Sequence, residues 1–341
     1  MENSIYEIRL ARLDEGDAII DFYKKYWNPD HALVKSRTLF DFQHRGEENY
    51  NIIIGYNKET KEIDGTWGII PVAHYDKDLS RYGDYWGAIL KIRDDVKNKE
   101  IHRLFFEFYK YMLRLPGLGS YISSGLGMTG FKVMAPFNRN KGILNQYYIA
   151  NENIGKFEIA KCLKSIQVNS NNLVEIREVI ISNVDKEPVC NYRPKKSLTY
   201  LINRFEKHPI YKYKFWGIYK ADQIVCILVV RVINVLDNRS VIRIVDCLGN
   251  LEELGPIRNQ IQLLLDKENA EYVDFINHGI NEEVFKEMGF SKLDFGKDEI
   301  IVPNYFEPFE QRNVPIRYAY NMEGGYTIFR ADSDQDRPNI I

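Results

Sequence analysis

The sequence predicts an α/β protein built from two consecutive units. Its 341 residues exceed one ordinary core, because domains usually hold about 100–200 residues. Its composition, with 45% hydrophobic, 28% charged and 13% aromatic residues, excludes the disordered classes. A third observation is that each half of the chain shows the same order of apolar runs, with strand, helix, strands, helix and strand.

In the first half, apolar spacing predicts each element in turn. Tyr6–Leu13 alternates as a strand does, and Asp14–Trp27 has helically spaced apolar residues behind an acidic first turn. A second helix is predicted over Val34–Gln43. The remaining elements are strands at Asn49–Asn57, Gly65–Asp76 and Tyr85–Ile92, a helix at Ile101–Leu115, and strands at Tyr121–Gly127 and Asn145–Asn151.

The second half repeats this order without visible sequence identity to the first. It opens with a strand at Leu173–Ile180, and the apolar run Gln223–Leu236 is long enough to need a bend. Gly289 is predicted to cap a short helix over Asn281–Phe290. The other elements are a helix at Leu198–Phe205, strands at Tyr213–Lys220 and Ser240–Gly249, a helix at Glu253–Glu268 and a strand at Glu271–Gly279.

These elements set the predicted domain boundaries. The first unit covers residues 1–155, residues 156–172 form a linker, and the second unit covers residues 173–310. Residues 311–341 are expected to be a C-terminal extension docked on the body of the protein.

Charge and cysteine content narrow the function classes. Lys and Arg (46) nearly balance Asp and Glu (48), so the net charge of −2 gives no global reason to bind nucleic acid. Cys226 and Cys247 lie in apolar runs, and no C-x-x-C pair occurs, which predicts buried free thiols and no metal site. Because no signal peptide or membrane-spanning run is seen, we expect a cytoplasmic protein without membrane insertion and leave open an oligomer.

The segment Ala88–Tyr109 has a strand, a loop and a helix with matching apolar spacing, and here the chain resembles the GNAT acyltransferase superfamily. The resemblance implies two GNAT-like domains, each with a central mixed sheet flanked by helices. It also implies that acetyl-CoA, or another acyl-CoA, binds where two strands splay and a loop R/Q-x-x-G-x-G/A holds the pyrophosphate. Glu100 and His102 occupy positions where the family has small residues. The positions that the resemblance assigns to acyl-CoA are Ile92, Lys97, Asn98 and Lys99.

A narrower resemblance covers nearly the whole chain. It rests on the strings YWNPDHAL, TLFDFQH, HPIYKYKFWGIY, RIVDCLG, PNYFEPF and RADSDQDRPN. Together they resemble a tandem-GNAT family of bacterial surface-polysaccharide (O-antigen or capsule) gene clusters. The resemblance implies transfer of an acyl group, such as acetyl, to an amine or hydroxyl of a nucleotide-linked sugar. Two alternatives remain: an aminoacyl transferase using charged tRNA, or a non-catalytic relative that acts as a binding or scaffold protein.

Four residues are candidates for the proton transfers of acyl transfer. His31 follows Asn-Pro-Asp in a loop after the first helix, where a pKa near neutrality would suit a base, although a helix cap is the alternative. Asp246 and His278 end neighbouring predicted strands, the edge at which open α/β sheets bind ligands, or are turn residues. Glu307 lies in PNYFEPF, which is either a sugar-stacking segment or an interdomain clamp.

Five further residues are candidates for substrate binding. Asn304 and Tyr305 share the PNYFEPF segment, and Arg337 follows the run Asp332, Asp334, Asp336 near the chain end, where it suits a phosphate or carboxylate. Asp274 and Asn277 belong to the strand that His278 ends. Lys195 and Lys196 form the densest basic cluster and are expected to be a solvated turn rather than a diphosphate site.

Overall fold

The structure is a computed structural model that describes residues 4–161, 174–297, 299–322 and 325–339. Residues 162–172 of the predicted linker therefore lie outside the described residues. The strands are β1 (Tyr6–Arg12), β2 (Asn49–Asn57), β3 (Ile63–Pro71), β4 (Asp84–Ile92), β5 (Ser120–Ser124), β6 (Asn140–Ile143), β7 (Asn145–Ala150), β8 (Glu175–Val179), β9 (Lys214–Lys220), β10 (Gln223–Leu236), β11 (Arg239–Gly249), β12 (Ala270–His278), β13 (Ser291–Lys292), β14 (Arg317–Tyr320) and β15 (Ile328–Phe329).

The helices fill the connections between these strands. Helix α6 continues as a π-helical turn over Ile202–Glu206, and a 3-10 helix at Lys99–Arg103 leads directly into α4. The α-helices are α1 (Gly16–Tyr26), α2 (Ala32–Lys35), α3 (Arg37–His44), α4 (Leu104–Met112), α5 (Met128–Met134), α6 (Leu198–Leu201), α7 (Arg258–Lys267) and α8 (Glu282–Met288). Among the described residues there is no helix whose length and apolar content would let it traverse a bilayer.

Two mixed sheets organise the chain, as predicted. The first has the strand order β1-β2-β3-β4-β5-β14-β6, and the second has the order β13-β7-β12-β11-β10-β9-β8, with β15 beside β12. Each sheet contains one parallel pair, β4–β5 in the first and β11–β12 in the second, and the other pairs are antiparallel. The expectation of an α/β protein with two consecutive units of this kind is confirmed.

The two sheets exchange one strand each. Strand β7 was expected to complete the first unit, but it pairs with β12 in the second sheet, from Asn145 with Asn277 to Ala150 with Tyr272. In its place the first sheet takes β14, which lies between β5 and β6. The predicted extension 311–341 therefore supplies a strand to the interior of the first sheet, and the domain boundaries themselves stay a prediction.

Local sequence explains where several elements start and stop. The helix expected over Val34–Gln43 is split because Ser36 has an extended backbone and its hydroxyl accepts a hydrogen bond from Leu39 N at 3.2 Å, capping α3. The expected bend in β10 is present as register shifts after Val229 and after Asn234. Gly289 ends α8 with a left-handed φ of 92°, as predicted.

The apolar residues of the first sheet face two helical layers. In β2, Ile52 and Ile54 pack against α1–α3, whereas Ile53 packs on the opposite face against α4. A third cluster joins the two sheets and includes Trp86 of β4 and Val245 of β11. This shared core packs the two sheets against each other near their parallel strand pairs.

Candidate active site

The parallel pair of the first sheet opens into a gap. Strands β4 and β5 pair only from Asp84 with Ser120 to Gly87 with Ser123, although β4 continues to Ile92. Just past Gly87, the register between β3 and β4 shifts, so that an extra residue of β4 bulges out of the ladder. Beyond this point no described strand pairs with the β5-facing edge of β4, so its backbone groups are available to a ligand.

This gap contains a cavity of about 340 Å³, which we call the cleft. Its walls come from β4 at Ala88–Leu90, from β5, and from the glycine-rich turn Gly125–Gly130 that leads into α5. Trp27 and Trp67 supply aromatic walls, and Gln335 and Arg337 reach it from the C-terminal segment. No cleft was expected at this point of the sheet.

Two hydroxyl groups of β5 lie where the strands part. Tyr121 and Ser123 both line the cleft and hydrogen-bond to each other. Burial raises the pKa of Tyr121 above its ordinary value, against the opposing effect of Ser123, so the phenol stays protonated at neutral pH. A side chain at Gly87 would meet both hydroxyls, at 2.2 Å from Ser123 Oγ and 2.3 Å from Tyr121 Oη. Glycine at this position therefore keeps β4 and the two hydroxyls in close contact.

The C-terminal segment runs along the cleft. Ser124 Oγ donates to the carbonyl of Asp332 at 3.1 Å, and Ser333 Oγ donates to the carbonyl of Ile122 at 3.2 Å. Gln335 packs so closely on Gly125 that a β-carbon there would lie 1.7 Å from its Oε1 atom. Residues from the C-terminal segment thus complete a cleft whose strands both come from the first half of the chain.

The parallel pair of the second sheet also parts, but its gap is filled. Strands β11 and β12 pair from Ser240 to Ile244, after which β15 pairs with Asn277 and His278 of β12. On the other side Ala331 N donates to the carbonyl of Val245 on β11 at 2.9 Å. The segment from Ile328 to Ala331 therefore bridges the two strands, and its apolar side chains are buried.

Asp246 does not face an open pocket, contrary to the prediction. It is fully buried beside this segment, where the ammonium group of Lys196 binds both Asp246 and Asp332. Tyr200 Oη and the backbone of Cys247 also donate to Asp246, at 3.1 Å and 2.8 Å. The expectation that Lys196 lies in a solvated turn is wrong. Burial acts to lower the pKa of Lys196, but the two carboxylates raise it above its ordinary value, so Lys196 remains a cation. Sealed in this way, Asp246 is a structural ion-pair partner.

His31 lies beside the cleft, but its environment differs from the expected one. It caps α2, with Nδ1 accepting from Leu33 N at 3.1 Å, and its ring packs at a tilt of 37° against Trp27 with 4.1 Å between centroids. Burial, and then the nearby Arg337, lower the pKa of His31 to about 3, so the expectation of a near-neutral pKa is wrong. A ring with so low a pKa binds protons weakly at pH 7 and is therefore a weak general base. The catalytic role of His31 stays a prediction.

Most of the other predicted residues gather around a second, smaller cavity. Asn304, Tyr305, Glu307 and Arg337 line a space of about 20 Å³, which we call the arginine cavity. Asp274 is one contact away, because it holds Arg243, which lines the same space, through bonds of 3.0 and 2.8 Å. Gln146 links these groups, accepting from Asn304 at 3.0 Å and donating to Asp274 at 3.3 Å.

Asn277 and His278, which were predicted for substrate binding and catalysis, line neither cavity. His278 contacts the hydroxyl of Tyr318 at 3.0 Å from Nδ1, and burial lowers its pKa. The amide of Asn277 is buried without a hydrogen-bond partner among the described residues. Neither lines the cleft, so the structure does not bring the four predicted catalytic residues together.

The loop predicted to hold acyl-CoA follows β4 directly. Ile92 ends that strand, Lys97 and Lys99 are exposed, and the side chain of Asn98 caps the next helix by accepting from Ile101 N at 2.9 Å. Glu100 is directed away from the gap, since it accepts from Ser4 Oγ at 2.7 Å at the start of the edge strand β1. The negative charge that replaces a family glycine is therefore held at the opposite edge of the sheet from β5. Among the described residues no His, Cys, Asp and Glu side chains form a group suited to a metal ion.

Comparisons with known proteins show the fold. No family model matches the sequence, and no curated protein is similar to it. A GCN5-related N-acetyltransferase from Anabaena variabilis is similar in structure, with a TM-score of 0.54 and 9% identity over 92% of this chain and 72% of its own. A protein of unknown function from Enterococcus faecalis, described as a probable N-acyltransferase, gives a TM-score of 0.53 and 7% identity with the same coverage. The chain thus has the fold of the GCN5-related N-acetyltransferases, with two sheets of that type.

Proposed function

We propose that this protein is an acyltransferase that uses acyl-CoA, such as acetyl-CoA, in the cleft of the first sheet. The observation that carries the proposal is the open gap between β4 and β5, where the β4 edge beyond Gly87 has no strand partner in the described part of the chain. The fold of its structural neighbours supports the reaction class. The second sheet is not the proposed site because β15 and Ala331 occupy its gap.

The residues of the cleft suit a thioester substrate. The edge of Ala88–Ile92 that faces β5, which pairs with no described strand, offers hydrogen bonds to the amide groups of the pantetheine arm, as an added strand would. When bound, acyl-CoA supplies an acyl group activated as a thioester. Backbone N–H groups at the bulge of β4 are the donors that would stabilise the charge developing on its carbonyl oxygen. The neutral hydroxyl of Tyr121 lies buried against Ser123 where the strands part, and we propose that it donates a hydrogen bond there when the cleft is occupied.

The loop after β4 suits the phosphate end of this substrate through side chains rather than glycines. Lys97 and Lys99 are exposed and flank Asn98 at the start of the helix, while Glu100 is bound to Ser4 and Ile5. Exposed lysines bind phosphate as mobile point charges. They therefore require a less exact placement of the phosphate than a loop of backbone N–H groups does. We therefore keep Ile92, Lys97, Asn98 and Lys99 as the proposed contacts.

The proposed acceptor is an amine or hydroxyl of a nucleotide-linked sugar, in cytoplasmic synthesis of a bacterial surface polysaccharide. The narrower sequence resemblance supports this acceptor. The partly exposed ring of Trp27 in the cleft wall suits stacking on a sugar or a base.

Gly130 provides a direct test. It lies in α5, lines the cleft, and has no atom nearer to an added β-carbon than Leu126 Cδ2 at 3.8 Å. Gly130→Trp is expected to fill the cleft and abolish acetyl-CoA binding in calorimetry. Gly130→Ala is the matched control, which keeps binding and strengthens the helix by about 1 kcal/mol. Absence of acetyl-CoA binding to the folded wild type, or equal binding by both variants, would remove the basis of the proposal.

One observation favours a second candidate, a non-catalytic binding protein. Among the described residues that line the cleft there is no carboxylate and no imidazole, so no side chain there is an evident proton acceptor. A mass-spectrometric assay with acetyl-CoA and nucleotide-linked amino sugars separates the candidates. Acetyl-CoA binding without any acylated product would favour the binding protein.

A further inference from the structure

The arginine cavity adjoins the cleft and is surrounded by guanidinium groups. Arg231, Arg243, Arg330 and Arg337 line its space of about 20 Å³. Gln335 and Arg337 line both this cavity and the cleft, so the two spaces adjoin at these side chains. The volume suits a single oxygen-sized atom, because a water needs about 10–15 Å³ by this kind of measure.

Three of these arginines have an unsatisfied hydrogen-bond donor. The Nε atoms of Arg231, Arg330 and Arg337 are buried, and none has a hydrogen-bond partner among the described residues. Buried N–H groups are normally bonded, and charged donors are the costliest to leave unpaired. Three such donors around one cavity therefore indicate that an acceptor belongs there.

The charges around the cavity also leave one cation without a partner. Arg231 pairs with Asp336 at 2.9 Å, and Arg243 pairs with Asp274 at 2.8 Å. Arg337 pairs with Asp334 at 3.1 Å. Arg330 forms no ion pair with any described residue, and burial together with Arg243 lowers its pKa to about 10.

The remaining carboxylate near the cavity is already engaged by neutral donors. Glu307 accepts from Tyr211 Oη at 2.6 Å and from Asn339 N at 3.0 Å, and its distance to Arg231 is 3.7 Å. These hydrogen bonds orient the carboxylate of Glu307, which forms no ion pair with Arg330. An anionic group entering the cavity would meet the free donors of the arginines as well as this one acid.

We propose that the arginine cavity binds one anionic oxygen of a ligand, from a carboxylate or a phosphate, while the rest of that ligand lies in the cleft. The proposal rests on the proposed function in one respect, since it makes the acceptor of acyl transfer an anionic molecule. Guanidinium groups are the side chains best suited to this task, because their N–H donors match carboxylate and phosphate oxygens. Arg330 supplies a guanidinium that forms no ion pair with any described residue, and Arg337 connects the site to the cleft.

The test measures anion binding without acyl-CoA. The melting temperature of the full chain is recorded against rising acetate or phosphate, with potassium chloride holding the ionic strength constant. A saturable increase with either anion is expected for the wild type, and Arg330→Gln should weaken it by about tenfold or more, since a charged hydrogen bond is lost. Arg177→Gln, at an exposed arginine on the edge strand β8, should leave it unchanged. Acetate alone acting would identify a carboxylate site, and phosphate alone a phosphate site.

A second variant separates a binding site from a structural arginine. Without anion, Arg330→Met is expected to raise the melting temperature, because it removes a buried charge that has no partner. A fall in melting temperature, or a wild type that responds to neither anion, would overturn the proposal. Acetyl-CoA titration of the same variants keeps the two ideas distinguishable: intact acetyl-CoA binding without an anion effect refutes only the anion site, and the reverse result refutes only the transferase.

Discussion

The guanidinium of Arg337 lies 3.4 Å from Nε2 of His31, so residues 306 positions apart meet beside the cleft. Since Nδ1 of His31 accepts from Leu33 N, the neutral ring carries its proton on Nε2, facing the guanidinium. A positive charge on the ring would be repelled there and could not be hydrated. Burial, and then this contact, lower the pKa of His31, keep the ring neutral and make the fold sensitive to acid.

The stability of the protein should fall with pH in a window set by His31. Its pKa is about 3 in the folded chain and about 6.5 when unfolded, so the unfolded state binds an extra proton between these values. Stability is complete above about pH 6.5 and is lost as pH falls towards 3, by up to about 1.4 kcal/mol per pH unit. His31→Asn retains a capping oxygen. It should lower the slope of the unfolding free energy against pH by the equivalent of one proton, in urea unfolding measured from pH 8 to pH 4.

Other buried histidines are expected to account for the pH dependence of stability that remains in His31→Asn. Burial also lowers the pKa of His44 to about 3 and that of His208 to about 4, so two further histidines bind protons only on unfolding. At pH 8 His31→Asn should be close to the wild type in stability. An unchanged slope would show that His31 is charged in the folded protein.

Loss of Lys196 should destabilise the protein severely. Lys196→Met leaves Asp246 and Asp332 buried without their shared cation, at a cost of about 3–5 kcal/mol in urea unfolding. Asp246→Asn should cost less because it leaves Lys196 paired with Asp332. The double variant should cost less than the sum of the single ones, since the two residues interact. Additive effects would contradict the ion pair.

Tyr121→Phe should slow acyl transfer while leaving the fold intact. It removes a hydroxyl that lines the cleft, and loss of one such donor typically costs about 10²–10³ in kcat. KM for acetyl-CoA should change little if the bond forms mainly as charge develops. Tyr109→Phe is the matched control, because its hydroxyl bonds to the carbonyl of Phe137 and does not line the cleft. Equal kcat in the two variants would exclude the proposed role.

Gly125→Ala should destabilise the protein through two separable effects. Gly125 has a φ of 71°, where alanine costs about 1–2 kcal/mol, and its β-carbon would also collide with Gln335. Adding Gln335→Ala should remove the collision but leave the backbone cost. Chemical denaturation of the two single variants and the double variant gives both contributions. If the double variant were no more stable than Gly125→Ala, the contact with Gln335 would not be restrictive.

The sequence predicted elements well wherever a long apolar run defined them. Strands β2 and β10 match their predicted ranges residue for residue, because runs such as Gln223–Leu236 admit few other conformations. Helix α5 and strand β6 were missed, since their short segments, Met128–Met134 and Asn140–Ile143, lack a clear period. The sheet to which β7 belongs could not be predicted, because alternation identifies a strand but not its partner.

The candidate site was less predictable than the fold. Residues of PNYFEPF and Arg337 were selected from sequence and do meet around the arginine cavity, but the cleft was not recognised. It depends on where the backbones of β4 and β5 part, and only Gly87 marks that point in the sequence. Lys196 was misinterpreted because its partners, Asp246 and Asp332, lie 50 and 136 residues away.

The exchange of β7 and β14 has a consequence for biosynthesis. While the chain is being made, β5 and β6 must wait for a partner that is translated almost 200 residues after β5. Until β14 is made, both exposed strand edges are open to pairing with other nascent chains. Removing the residues after Tyr320 would leave β14 but strip away Gln335 and Arg337, so a truncation far along the chain would damage a cleft built from much earlier strands.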